Sequence, residues 1–253
     1  MPTYALLIEY DGAPFVGWQR QDTGLSVQQV IEDAAAPLAE GAPVTAIAAG
    51  RTDAGVQAEG QVAQLELARA LPPERLREAL NFHSRPHPVA VLRAALAPPG
   101  WNARFSAVQR GYRYRILNRP ARPALDLGRV WHVKAPLDAA AMHRAAQDLL
   151  GRHDFSAYRA AACQAKTPLR TLDRLDVARL GEEVVVTAEA RSFLHHQVRN
   201  LVGTLVEVGL GKRPESWPRR VLDGRDRRRA GQTAPPEGLT FAFVRYAETL
   251  DWA

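Results

Sequence analysis

Two stretches of this chain run through the same succession of patterns, and that repetition restricts the fold more than any single motif does. In the first, Thr3–Tyr10 alternates loosely between polar and apolar positions and stops at the turn pair Asp11-Gly12. Ser26 with Gln29 then has the form of a capping box, and Val27, Val30, Ile31, Ala34 and Leu38 recur at helical spacing. Val44–Ala49 and Gln61–Leu67 read as strands. Pro73 stands where a first helical turn tolerates proline, opening a helix over Glu74–Phe82, and Val89–Leu96 closes as a strand. The order is β-α-β-β-α-β, the ferredoxin-like or split βαβ unit. The second stretch repeats the order without repeating the residues. Gln109–Asn118 reads as a strand, Asp138 caps a helix running through Leu150, and Thr171–Leu180 and Glu183–Ala190 are strands joined at Gly181. Ser192–Gly209 reads as a helix and Leu239–Tyr246 as the last strand. Additional chain lies at 119–136 and 212–236, the latter Arg-rich with a short helix expected after Pro214. The expected fold is α+β: two ferredoxin-like domains, 1–104 and 105–253, joined through a largely antiparallel sheet with a cleft between them. The break is marked by Pro98-Pro99-Gly100.

Composition narrows the class of protein. A chain of 253 residues suffices for one large or two ordinary domains, and 46% hydrophobic residues can supply their cores. No apolar run approaches the roughly 20 residues that a bilayer requires. Met1-Pro2-Thr3-Tyr4 leads directly into a strand pattern, without the basic and apolar segments of a secretory signal. The one cysteine, Cys163, excludes an internal disulfide and a cysteine metal cluster. A soluble cytoplasmic protein is expected. The balance of charge is +6, and of 33 basic residues only Lys134, Lys166 and Lys212 are lysines. Arginine holds its charge at any working pH and grips phosphate with a planar fork of donors, so the surplus suits a polyanionic partner. Arginine also replaces lysine on solvated faces in chains rich in Ala, Arg and Pro, and charge alone does not separate the two readings.

Several residues stand out as chemistry. Gly50-Arg51-Thr52-Asp53-Ala54-Gly55-Val56 lies between two strand patterns and places a lone carboxylate, Asp53, on a glycine-bounded loop. Such an acid suits either a turn or a reactive centre, and local sequence does not choose between them. On the first strand of the second half, Tyr112 and Tyr114 share one face and Arg113 and Arg115 the other. That alternation fits an ordinary half-buried strand with tyrosines in the core and arginines in water, and also base stacking flanked by phosphate contacts. Arg199 adjoins the apolar stripe Leu194, Val198, Leu201 and Leu205, an expensive place for a cation unless a carboxylate meets it or its stem reaches out to water. His195 and His196, if helical, point about 100° apart and do not share a metal readily. No metal-ligand spacing occurs among the seven histidines, and no glycine-rich phosphate loop is present, so neither a metal nor a nucleotide cofactor is expected.

Taken together, these stretches resemble the tRNA pseudouridine synthase A (TruA) family. The resemblance is carried by Tyr10-Asp11-Gly12, Gly17-Trp18-Gln19-Arg20-Gln21, Ser26-Val27-Gln28, Ala49–Val56 and Gly60-Gln61-Val62. It continues with Ala103-Arg104-Phe105-Ser106-Ala107, Tyr112-Arg113-Tyr114 and Val198-Arg199-Asn200, all in the family's order. It implies an isomerase that converts uridines 38, 39 and/or 40 of the tRNA anticodon stem-loop to pseudouridine, without a cofactor. It implies Asp53 as the catalytic carboxylate, either attacking C1′ or assisting removal of a sugar proton to give a glycal. Arg199 would supply the opposing charge, and Tyr112 would stack on the uracil and help remove the C5 proton. Arg51 and Arg104 would contact the substrate, Arg51 holding the flipped nucleotide or filling its vacated space. The partners implied are tRNA, held in a central RNA-binding cleft, and a second copy of the chain in a homodimer. The arginines of 110–122 and 213–229 would meet phosphates. Two positions depart from the family pattern, with Gln57 and Asn102 where histidine is usual.

Overall fold

The computed structural model describes residues 1–253, and its backbone divides into two compact units: Met1–Val108 together with Phe241–Ala253, and Gln109–Thr240. The first unit contains β1 (Thr3–Tyr10), α1 (Val27–Ala35), β2 (Ile47–Ala48), β3 (Gln57–Glu66), α2 (Pro73–His83) and β4 (Val89–Leu96). β1 lies between β4 and β3, antiparallel to both, and β2 pairs antiparallel with β3 at Ala63 and Gln64. Ser26 caps α1, its Oγ accepting from Gln29 N–H at 3.1 Å. Val27, Val30, Ile31 and Ala34 are buried, as the three-and-four spacing requires. Leu76 and Leu80 do the same for α2, which packs on α1 and β4. The opposite face of the sheet carries a second cluster, in which Ala5, Val62, Ala95, Trp101, Ala103 and Leu250 are buried with Tyr246 and Trp252 against them.

The second unit contains most of β5 (Ala107–Leu117), then β6 (Trp131–His132), α3 (Ala139–Gln147), β7 (Gly151–Asp154), β8 (Leu169–Leu180), β9 (Glu183–Ala190), α4 (Gln197–Gly209) and α5 (Trp217–Gly224). Its strands run β5-β9-β8-β7, antiparallel throughout, with β6 parallel to the end of β5. Asp138 caps α3 through Ala141 N–H at 2.9 Å. α3 packs on β8 and on α4. A final strand, β10 (Leu239–Tyr246), begins in this unit and carries the chain back into the first, where it lies beside β3. The fold is therefore α+β with mostly antiparallel strands, and the first unit is discontinuous in sequence.

The main differences from the sequence expectation lie in β2, α4, β6 and β7. Of Val44–Ala49 only Ile47 and Ala48 form strand. The Ala46 N–H is taken by the buried carboxylate of Glu32 at 3.0 Å, which removes it from any ladder. The helix expected from Ser192 starts at Gln197, because His196 adopts a left-handed backbone (φ 62°) that interrupts any earlier turn. His195 and His196 consequently do not splay as helical neighbours: their rings lie 4.1 Å apart, centroid to centroid. β6, two residues long, and β7, the polar segment Gly151–Asp154, are too short or too polar for sequence pattern to mark them as strands.

Candidate active site

In the first unit the loop from Gly50 to Val56 joins β2 to β3, and its backbone is clamped from one side by Gly17-Trp18. Gly17 forms an antiparallel bridge with Asp53. Trp18 N–H donates to Thr52 O at 3.0 Å. Gly17 has φ +109°, and a Cβ there would come within 2.7 Å of Thr52 O, so this approach requires glycine. The same two residues accept from the first turn of α1, Val27 N–H to Gly17 O at 3.2 Å and Gln28 N–H to Trp18 O at 2.9 Å. The placement of Asp53 is thus coupled to the start of a capped helix.

From below, Tyr10 at the end of β1 meets the loop: its hydroxyl is 2.7 Å from Thr52 Oγ1, and both residues are buried. Gln61 of β3 donates its amide to Gly50 O at 2.7 Å. Val56 N–H closes the turn on Asp53 O at 3.2 Å. Gln57 accepts from Gly12 N–H at 2.8 Å and so ties the exit of the loop to the turn after β1. Asp53 is left half-buried and Arg51 exposed. None of Tyr10, Thr52, Gln57 or Gln61 is marked as a support by local sequence, since the partners of three of these contacts lie 11 to 45 residues apart.

Burial pushes the Tyr10 hydroxyl up from 10.0 to about 12, against the opposing pull of its Thr52 hydrogen bond. A pKa raised in the folded state gives stability that is complete below pH 10 and is lost as pH rises through 12. Tyr10→Phe is therefore expected to cost about 1 kcal/mol at neutral pH, through the unpartnered Thr52 hydroxyl. It should also remove about 2–3 kcal/mol of the alkaline loss. Melting temperature against pH, wild type beside variant, reads both effects; parallel curves would contradict the assignment.

Arg104, also in the first unit, is exposed on the loop that follows Trp101. Asn102 shapes this loop: its Oδ1 accepts from Arg104 N–H and Phe105 N–H, each at 3.0 Å. Asparagine suits such a turn because its short side chain reaches its own backbone two and three residues on.

In the second unit Tyr112 and Tyr114 share one face of β5, as alternation requires, but differ in role. Tyr114 is fully buried, its hydroxyl donating to Pro235 O at 2.8 Å. Tyr112 is half-buried, with the edge of its ring against Phe193 (centroids 5.2 Å, interplanar angle 86°). Phe193 lies four residues before the start of α4, whose first turn carries Arg199.

Arg199 is half-buried and braced: its Nε donates to Ala234 O at 2.7 Å, and Ala234 N–H donates back to Arg199 O at 3.1 Å. The segment that supplies Ala234 is pinned along α4. Gly231 N–H donates to Thr204 Oγ1 at 3.0 Å, and Thr233 Oγ1 and Arg227 Nη2 both donate to the buried Asn200 Oδ1, at 2.7 and 3.0 Å. The sequence shows Arg199 beside an apolar stripe but gives no sign of this strap.

Many of the arginines singled out as phosphate contacts answer to the protein's own carboxylates. Arg115 pairs with Glu183 (2.6 Å) and Asp126 (3.1 Å), and Arg119 with Glu182 (2.6 Å). Arg225 meets Asp154 at 3.6 Å and Arg228 meets Asp226 at 2.8 Å. The outward face of β5 is therefore partly neutralised rather than uniformly basic.

Comparison with known proteins bears on the same residues. The family model described as tRNA pseudouridine synthase matches residues 6–106 and 145–247, which include Asp53 and Arg199. The tRNA pseudouridine synthase A of Acidiphilium cryptum is 63% identical over 247 residues, covering 97% of each chain. That of Paramagnetospirillum magneticum is 57% identical over 247 residues, covering 98% of this chain and 96% of its own. That of Gluconobacter oxydans is 52% identical, covering 97% and 90%. With a matching family model over most of its length and relatives this similar from end to end, the chain belongs to the tRNA pseudouridine synthase family.

Proposed function

We propose that this protein isomerises uridines 38, 39 and/or 40 in the anticodon stem-loop of tRNA to pseudouridine, with Asp53 as the catalytic carboxylate. It is a pseudouridine synthase, an isomerase. The N1–C1′ bond of the target uridine breaks, the uracil turns, C5 bonds to C1′, and the C5 proton leaves as N1 gains one. No atom is added or lost overall, so no cofactor or energy source enters. The observation that carries the reading is the Asp53 loop: a half-buried acid on a backbone clamped by Gly17-Trp18 and supported by Tyr10 and Gln61. Such rigidity suits a group that must meet one sugar carbon in one orientation.

In this reading Arg199 supplies the charge that opposes Asp53 when substrate is bound, favouring the ionised carboxylate and fixing its direction. Tyr112, steadied by Phe193, stacks on the turned uracil. Arg51 and Arg104 engage the RNA around the extruded base, which has left its stack as base-modifying chemistry requires. The frame is two ferredoxin-like domains, corresponding to the compact units 1–108 with 241–253 and 109–240. The working form is a cytoplasmic homodimer. No helix is long and apolar enough to cross a membrane.

The test is incubation of the full-length protein with an unmodified tRNA transcript, followed by chemical mapping of pseudouridine at each position. Pseudouridine at 38, 39 or 40 is expected. Free uracil in its place would mark a nucleosidase, and an unchanged transcript would leave an RNA-binding protein without this chemistry.

A further inference from the structure

The loop of residues 101–106 holds a large apolar ring in water, and nothing about folding accounts for it. Phe105 is 76% exposed. The loop that presents it is stapled at several points. Ala103 N–H donates to Gln64 Oε1 of β3 at 2.7 Å, and Ala103 O accepts from the Tyr246 hydroxyl of β10 at 2.7 Å. Ser106 N–H donates to Asn102 O at 3.0 Å, and Asn102 N–H to Ser106 Oγ at 3.1 Å. Asn102 Oδ1 accepts from both Arg104 N–H and Phe105 N–H. Trp101 and Ala103 are buried in the cluster below. A loop this constrained cannot fold Phe105 inward, so its exposure is a property of the built structure and not of a slack segment.

Beside the ring stands a cation. The Arg104 guanidinium lies 5.7 Å from the Phe105 centroid, within the range of a cation–π pair. An exposed aromatic face and a guanidinium on one stiff loop match a nucleobase and its phosphate, the pairing by which proteins hold unstacked RNA. An apolar protein partner would not call for the charge, and a phosphate alone would not call for the ring. We propose that Phe105 is a stacking platform for a tRNA base, with Arg104 held alongside to take the neighbouring phosphate. The proposal rests on the tRNA-modifying reading and deepens it by naming the residue that holds a base outside the reacting nucleotide.

The experiment measures binding of an unmodified tRNA transcript to the full-length protein across a salt series. Phe105→Ala is expected to weaken binding about tenfold at every salt concentration, leaving the slope of log Kd against log salt unchanged, because a neutral ring releases no counterion. Phe105→Tyr and Phe105→Trp should restore affinity. Arg104→Ala should instead lower the slope by about one. Wild-type affinity for Phe105→Ala would overturn the proposal. So would a change in the oligomeric state of Phe105→Ala, measured by light scattering without RNA, which would mean that the ring packs against another copy of the chain. Pseudouridine formation by the wild type on the same transcript checks the underlying reading separately. If the wild type forms none, that reading fails; if it does and Phe105→Ala binds normally, only the stacking contact fails.

Discussion

Asp53→Asn is expected to lower tritium release from C5-labelled uridine in tRNA by at least about a thousandfold, while the melting temperature stays near that of the wild type. Asparagine has the shape of aspartate but cannot carry its charge, so it can neither attack C1′ nor assist proton removal. The loop itself should persist, because its clamps are backbone contacts: the bridge to Gly17, Trp18 N–H on Thr52 O, and Val56 N–H on Asp53 O. Binding of tRNA should survive for the same reason. Tritium release at wild-type rates would remove Asp53 from the chemistry, and with it the proposed mechanism.

The second large effect is expected from a smaller change. Gly203→Ala places a methyl group in the middle of α4, where alanine ordinarily adds about 1 kcal/mol over glycine. Here a Cβ would stand 1.8 Å from Gln232 O, an approach no packing adjustment absorbs without moving backbone. The strap of residues 231–234 must lift, breaking the contacts to Thr204, Asn200 and the Arg199 backbone. A net loss of about 2 kcal/mol or more follows, a fall in melting temperature of roughly 5 °C. Proteolysis should open between Arg225 and Pro236. Activity should fall with it, since the Arg199 guanidinium loses the Ala234 carbonyl that steadies it. An unchanged or raised melting temperature would show that the strap does not hold α4.

Much of this was legible in the sequence because it is written locally. The caps at Ser26 and Asp138, the apolar spacing of α1 and α4, and the glycine-bounded acid at Asp53 are each readable within a dozen residues. What escaped is what depends on distant partners. Glu32 draws the Ala46 N–H out of a strand that Val44–Ala49 would otherwise make. The left-handed turn at His196 shortens a helix whose apolar spacing alone gives no reason to stop. The support of Thr52 by Tyr10, the tie from Gln57 to Gly12 and the brace of Arg199 by Ala234 join residues 35 to 45 apart. Gln57 illustrates the point: nothing near it in the sequence says that it holds the Gly12 N–H, 45 residues away.

The return of β10 to the first unit has a consequence for biosynthesis. Phe241–Ala253 belongs to the same compact unit as Met1–Val108, and Leu250 and Trp252 pack into its second cluster. During translation the ribosome releases the whole intervening unit before it delivers these residues. The unit that bears Asp53 is thus begun first and finished last, and a nascent chain stalled before β10 lacks part of that unit's second cluster.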